Sequence, residues 1–123
     1  MSLLRVNAIQ NATGGDILSA KSVASAWVNF NGTGTVAIRS GFNVTSVTDS
    51  GTGAYTVNFI QNMADTDYAV LATSGDGSTN YNMVHVSSAV APTVSSVRVQ
   101  CLTQNSGNPT ATDHSRVSVA IFD

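Results

Sequence analysis

The sequence has few histidines and cysteines, the side chains best suited to act as general bases or soft metal ligands. Histidine occurs twice, as His85 and His114, and cysteine occurs once, as Cys101. His85 lies between valines in "MVHVSS", an alternation typical of a strand, so we expect it to be hydrogen-bonded within the fold or to face a subunit interface rather than to bind a metal. In a trimer one histidine near the three-fold axis would be repeated three times, so a shared metal site there stays open. Cys101 alternates with apolar residues in "VRVQCL", which predicts a small buried hydrophobe, and a single cysteine allows no intrachain disulfide.

The seven acidic residues are all aspartates, and they offer little for paired-carboxylate chemistry. Asp65 and Asp67 stand in "DTD" directly before an apolar run, where an aspartate more often hydrogen-bonds to the backbone of a turn than holds a cation. No Gly-x-Ser-x-Gly pattern marks a nucleophilic serine. We therefore expect no catalytic residue, no metal site within a single chain and no enzymatic activity.

The glycines of "VNFNGTGTVAIR", residues 28–39, have the spacing of a dinucleotide-binding loop. Such a loop needs a helix after the glycines, because the helix amino terminus holds the pyrophosphate. The residues after Gly34 are rich in β-branched side chains, which predicts a second strand instead. The same tripeptide recurs at 51–53 in "DSGTGAYTV", again between two strand-like runs. Both Gly-Thr-Gly tripeptides are predicted to be turns between strands, and no cofactor is expected.

The composition limits both the fold class and the partners. A chain of 123 residues suits one domain with one core. Only 10% of the residues are charged, and sixteen valines stand against five leucines, which favours strands over helices. The net charge of −2 gives no reason to expect a nucleic acid as partner. No apolar run is long enough for a membrane helix and no signal peptide is recognisable, so membrane insertion is not expected.

Alternation of apolar and polar residues between turn signals predicts the elements that position these side chains. Seven or eight strands are predicted, the clearest being "VASAWVNFN", "AYTVNFI" and "TVSSVRVQCLT". "FNVTSVT" is expected to be a strand with Phe42 and Val44 on one face, and "DYAVLATS", apolar on both faces, to be an interior strand. The prediction is an all-β, antiparallel β-sandwich of jelly-roll-like type over residues 22–123, preceded by an arm or attachment segment over residues 1–21.

The segment "AWVNFNGTGTVAIRSGFNVTSVTDSGTGAYTVNF", residues 26–59, closely resembles a module of tail-fibre and other virion structural proteins of tailed bacteriophages. The preceding "LRVNAIQNATGG" and the final "VSVAIFD" resemble the lead-in and the last strand of those proteins, and the similarity is looser over residues 67–123. The resemblance implies a β-rich virion component, commonly a homo-oligomer and by analogy a trimer, that builds the tail or contacts the host surface. It supplies no catalytic residue.

Trp27 is the single tryptophan, and alternation places it with Ser25 and Asn29 on the polar face of its strand. Three interpretations stay open: a loop or second layer covers it, it lies in a subunit interface, or it forms a platform on which a glycan stacks. The residues expected in a subunit interface are Trp27, Asn29 and His85.

Two loops, residues 75–82 and 104–113, are expected to be exposed and to carry outward contacts. The candidate residues for contact with a receptor or partner are Asp76, Ser78, Asn80, Tyr81, Asn105 and Asn108. Two functions fit these expectations. The first is a tail-fibre or receptor-binding domain that mediates attachment to a host surface glycan or protein. The second is a capsid decoration or tail-assembly protein docked to other virion proteins through its amino-terminal arm. Either would be assembled in the bacterial host cytoplasm and located in the virion.

Overall fold

The computed structural model describes residues 8–10, 12–19 and 23–123. Within the predicted arm, β1 (Ala8–Gln10) pairs antiparallel with β2 (Asp16–Ser19), and this small sheet pairs with no other described strand. The remainder of the predicted arm, residues 1–7, 11 and 20–21, lies outside the described residues, as does residue 22.

Nine further strands follow in the described chain and form two antiparallel sheets. They are β3 (Ala26–Asn31), β4 (Ala37–Phe42), β5 (Val44–Gly51), β6 (Ala54–Phe59), β7 (Ala69–Gly75), β8 (Tyr81–Val86), β9 (Ser96–Gln104), β10 (Thr110–Ala111) and β11 (Arg116–Phe122). The first sheet has the order β4-β3-β11-β7. The second has the order β10-β9-β6-β5, and β8 also pairs with β9. The prediction of an all-β, antiparallel sandwich is confirmed, and the described residues include no helix that could cross a membrane.

The core lies between the two sheets and is built from alternate residues of the longer strands. In β3, for example, Ala26, Val28 and Phe30 are at most 1% exposed, as the sequence alternation predicts. Cys101 is a buried free cysteine, which confirms the prediction for it, and burial raises the pKa of its thiol to about 11. The other members of the core are Tyr55, Val57, Phe59, Met63, Tyr68, Val97, Val99, Val117, Val119 and Ile121.

The prediction of one continuous strand over "FNVTSVT" is wrong, because the chain turns from the first sheet into the second at Asn43. Asn43 has a φ of 56°, which ends β4 and starts β5. Its side chain fixes the corner: the amide nitrogen donates to Ser25 C=O at 3.0 Å, and the amide oxygen accepts from Gln61 N–H at 2.7 Å. Phe42 is consequently 55% exposed while Val44 packs against the core, so the two do not share a face.

The prediction that "DYAVLATS" forms an interior strand is also wrong. Among the described strands, β7 pairs with β11 alone and lies at an edge of the first sheet. Val70 and Ala72 pack against the core, but Leu71 points outward and is 56% exposed. The apolar residue on the second face of this strand is therefore surface, not core.

Both Gly-Thr-Gly tripeptides form turns between paired strands, as predicted, and both meet the Asp113–His114 segment. Gly32 N–H donates to His114 C=O at 2.9 Å, and Gly53 N–H donates to the Asp113 carboxylate at 2.7 Å. The Tyr55 hydroxyl donates to Gly32 C=O at 2.9 Å and lies 3.1 Å from the same Asp113 oxygen. The two turns thus act as one hydrogen-bonded unit that holds the segment before β11.

The sandwich has two distinct ends. The chain enters at the end where Ser25 N–H donates to Ile121 C=O at 2.7 Å, which we call the entry end. At the opposite end Arg116 pairs with Gly75, and the loops after β7 and after β9 lie there. We call this the distal end, and strands of six or seven residues place it about 20 Å from the entry end.

Candidate functional site

The loop between β7 and β8 is a compact turn built around one carboxylate. Asp76 Oδ1 accepts from Ser78 N–H at 2.8 Å and from the Asn82 side-chain amide at 3.1 Å. Asn80 N–H donates to the Ser78 hydroxyl at 3.2 Å. The hydrogen bonds from Ser78, with that from Asn82, hold the pKa of Asp76 at about 2. The predicted contact residues of this loop are therefore ordered by their own hydrogen bonds.

The second predicted loop lies at the same end. Tyr81 pairs with Gln104, so β8 starts where β9 ends. The Gln104 side-chain amide donates to Gly107 C=O at 2.8 Å and closes the turn that carries Asn105 and Asn108, both exposed. Tyr81 is 75% exposed and makes no hydrogen bond through its hydroxyl within the described residues. The structure thus brings the six predicted contact residues to the distal end.

A chain of hydrogen bonds runs from this loop into the interior. Asp76 accepts from the Asn82 amide nitrogen, Thr103 donates its hydroxyl to Asn82 Oδ1 at 3.2 Å, and Thr103 Oγ1 lies 2.9 Å from His114 Nε2. A carboxylate can only accept, so Asp76 fixes the orientation of the Asn82 amide. Asn82 Oδ1 therefore accepts the hydrogen bond from the Thr103 hydroxyl, so Thr103 Oγ1 must accept from His114 Nε2–H. His114 is therefore the neutral tautomer protonated at Nε2.

His114 is fully buried, and its Nδ1 has no hydrogen-bond partner within the described residues. Ser74 Oγ is a second buried atom without a partner there. Burial lowers the pKa of His114, and the carboxylates of Asp76 and Asp113 oppose that shift without cancelling it. The imidazole is consequently neutral at physiological pH. Its role is structural, because its hydrogen bond to Thr103 anchors the loop at the distal end.

The outer face of the first sheet carries a groove of about 630 Å³ around Trp27. Trp27 is 39% exposed, so the described structure leaves part of its ring accessible. Asn29 lies in the same groove, where its amide nitrogen donates to the Ser118 hydroxyl at 2.8 Å. The shared outward face of Trp27 and Asn29, predicted from alternation, is confirmed.

His85 lies elsewhere. It is exposed on β8, in the second sheet, and its Nδ1 is 2.8 Å from Val86 C=O. Trp27 and Asn29 face outward from the first sheet, so the three residues predicted for one subunit interface do not form one continuous surface in a single chain. They could meet only if one face of a copy packed against a different face of the next.

Several residues of these surfaces were not singled out by the sequence. Thr103 ends one strand-like run and His114 stands just before the next, and the pairing of β8 with β9 brings Thr103 to Asn82. Leu71 and Phe42 join Trp27 through strand pairing, not through spacing along the chain. The apolar second face of "DYAVLATS" singles out Leu71, but it predicts an interior strand, whereas the structure leaves Leu71 exposed on the outer face.

Asp65 accepts from Asp67 N–H at 2.9 Å, so the "DTD" aspartates cap a turn. The described residues contain no group of three or more His, Cys, Asp or Glu side chains that could hold a metal. Compared with protein family models, curated proteins and solved structures, the chain matches none.

Proposed function

We propose that this chain is a structural protein of a phage virion and acts as a tail-fibre or receptor-binding domain in host attachment. The observation that carries the proposal is the position of the candidate contact loops relative to the point where the chain enters the sandwich. The amino-terminal segment joins at the entry end, and Tyr81 with the loops at 76–80 and 105–109 lies at the distal end. A domain attached at one end can present the other to a host surface.

The order of the distal loops supports the same function. Asp76 and Ser78 hold one loop, Gln104 holds the other, and both are anchored to paired strands. Preformed loops lose little conformational entropy on binding. The exposed Tyr81 ring adds an amphipathic contact of the kind enriched in binding surfaces. The resemblance of residues 26–59 to phage fibre modules favours a virion setting for such a domain.

The second candidate function is a capsid decoration or tail-assembly protein. The observation that favours it is the separate β1–β2 hairpin, which pairs with no other described strand and could dock on a neighbouring virion protein. The two functions differ in which end of the chain makes the essential contact.

Purified protein is expected to compete with the phage that encodes it for adsorption to host cells. Tyr81→Ala should weaken this competition about tenfold, because an exposed aromatic anchor at a binding surface contributes about 1–2 kcal/mol. Ile60→Ala is the matched control, since Ile60 is 66% exposed next to the entry end. The measurement is the adsorption rate as a function of added protein. Absence of competition, with immunogold labelling confined to capsids, would reject attachment and favour the decoration function.

We also propose that the chain assembles into a homo-oligomer, with a trimer as the expected state. Each sheet ends in strands whose outer backbone edge is unpaired within the described residues, and association between copies would cover such edges. Multi-angle light scattering at micromolar concentration is expected to give three chain masses. A single chain mass across the concentration range would contradict assembly without bearing on the adsorption result.

A further inference from the structure

The outer face of the first sheet is organised in three successive bands that run across its strands. The band nearest the entry end is apolar: Trp27 pairs with Phe42 on one side and with Ala120 on the other, and Ala120 pairs with Leu71. Phe42 and Leu71 are 55% and 56% exposed. A continuous apolar band therefore crosses all four strands with its side chains open to solvent.

The second band is polar and uncharged. Asn29 pairs with Ser40 and Ser118, and Ser118 pairs with Thr73. The Asn29 amide donates to Ser118 Oγ, which leaves the Ser118 hydroxyl proton available as a donor. The Thr73 hydroxyl is exposed and has no hydrogen-bond partner within the described residues. This band offers amide and hydroxyl groups about 7 Å along the strands from the Trp27 ring.

The third band, towards the distal end, is cationic. Arg39 reaches across β3, with one guanidinium nitrogen 3.5 Å from Asn29 Oδ1 and the other donating to Ser115 C=O at 2.6 Å. Arg116, which follows Ser115 in the chain, is exposed. Neither arginine forms an ion pair within the described residues. The strands β3, β4, β7 and β11 contain no acidic residue, so the two positive charges have no counter-charge on this sheet.

We propose that this groove binds an acidic saccharide. A sugar ring would stack on Trp27 and Leu71, and its hydroxyl groups would bond to Asn29, Ser118 and Thr73, all of which line the groove. A carboxylate or sulfate would extend past the groove lining towards the distal end and pair there with Arg39 and Arg116. Apolar walls with a few convergent polar groups are typical of small-ligand sites, and the volume of about 630 Å³ lies in their usual range. Arginine suits the anionic group because its planar donors match an oxyanion in pairs.

A second copy of the chain fits this face less well. In a two-fold dimer the same surface meets itself, so the arginines of one copy would lie against either the arginines or the apolar band of the other. Both arrangements would leave Arg39 and Arg116 without an anionic partner at a buried interface, which is costly. The charge on the face thus favours an anionic ligand over a two-fold dimer through this face. In a trimer the face would meet a different surface of the next copy, and a dependence of the Trp27 emission on protein concentration tests that case. Arg116 pairs with Gly75 beside the first distal loop, but none of the six candidate contact residues lines the groove, so the inference does not rest on the attachment function.

Trp27 is the only tryptophan, so its fluorescence reports directly on occupancy of the groove. The full chain would be titrated with trigalacturonic acid, 3′-sialyllactose and a chondroitin sulfate disaccharide, and with maltotriose as the neutral counterpart. At least one acidic saccharide is expected to change the emission saturably and to bind at least about tenfold more tightly than maltotriose. Added salt should weaken that binding, because part of it is electrostatic.

Arg116→Gln is expected to lower the affinity for the acidic saccharide about tenfold and to leave any binding of maltotriose unchanged. Arg98→Gln is the matched control, since Arg98 lies on β9 of the second sheet with its Nε 3.4 Å from the Thr56 hydroxyl. Circular dichroism would confirm that both variants are folded. The proposal is overturned if no acidic saccharide changes the emission, or if maltotriose binds as tightly. It is also overturned if the emission changes with protein concentration alone while light scattering shows the mass rising to two or three chains, which would identify another copy of the chain as the occupant.

Discussion

Replacing Gly53 with alanine is expected to destabilise the sandwich by about 4 kcal/mol, among the largest effects of a single substitution in this chain. Gly53 has a φ of 70°, a conformation that costs a residue with a Cβ about 1–2 kcal/mol. An added Cβ would also lie 2.5 Å from Cys101 C=O and 2.9 Å from Thr112 N, which are backbone atoms that cannot turn aside. Moving them would disturb the Cys101 N–H bond to Gly53 C=O, now 2.7 Å long.

Gly34→Ala is the matched control for this substitution. Gly34 occupies the equivalent place in the other Gly-Thr-Gly turn and has a φ of 61°, but an added Cβ there meets nothing within 4 Å. The free energy of unfolding of this variant should fall only by the cost of placing a residue with a Cβ at positive φ, about 1–2 kcal/mol. Urea unfolding followed by circular dichroism measures both losses. Equal losses for the two variants would show that the close approach at Gly53 does not constrain the fold.

The difference between these two glycines could not be predicted from the sequence, although the two turns could. The spacing of the two Gly-Thr-Gly tripeptides between β-branched runs was enough to predict two turns. Which glycine lies against another strand depends on the pairing of β6 with β9, and that pairing joins residues 38 to 46 positions apart. No local period contains this information, so the two turns look equivalent in the sequence and differ in the structure.

The same limit separates the correct predictions from the wrong ones. Burial within β3, β6 and β9 follows from strict alternation, which depends only on neighbouring residues. The order of strands in a sheet does not follow from neighbouring residues. The prediction of an interior strand over "DYAVLATS" is wrong because two apolar faces are typical of a strand covered on both sides, and here the outer face is open. The candidate contact loops could be predicted from turn chemistry. The hydrogen-bond chain beneath them, through Thr103 to His114, required the register of β8 against β9.

His114 is expected to make the fold lose stability in mild acid. Burial lowers its pKa in the folded chain below the ordinary value of about 6.5. Between these two values the unfolded chain binds a proton that the folded chain does not. Stability is therefore complete above about pH 7 and falls as the pH drops through 6.5, by at most about 1.4 kcal/mol per pH unit for this one group. Asp76, with a pKa of about 2, loses its own contribution only below about pH 4, so the two effects occupy different pH ranges.

Urea unfolding between about pH 7.5 and pH 4.5 measures this dependence. His85→Gln is the control, since His85 is exposed and the slope should survive its removal. An NMR titration of the two imidazoles gives a second readout that needs no variant at His114, and the His114 ring is expected to titrate below the ordinary value. A flat stability profile over this range, or an ordinary titration of His114, would contradict the prediction.

Acid should act first on the loop that carries the candidate contact residues. Protonation places a hydrogen on His114 Nδ1, where the described structure offers no acceptor, so the ring must move to find one. Any movement breaks the bond from Nε2 to Thr103, which in turn holds Asn82 in the orientation that bonds to Asp76. Hydrogen exchange at Ser78 N–H, which donates to Asp76, is therefore expected to accelerate over the pH range in which His114 titrates. Because amide exchange slows intrinsically in this range, the test is the protection factor relative to an unstructured chain. If that factor stays constant while global stability falls, His114 and the loop are not coupled.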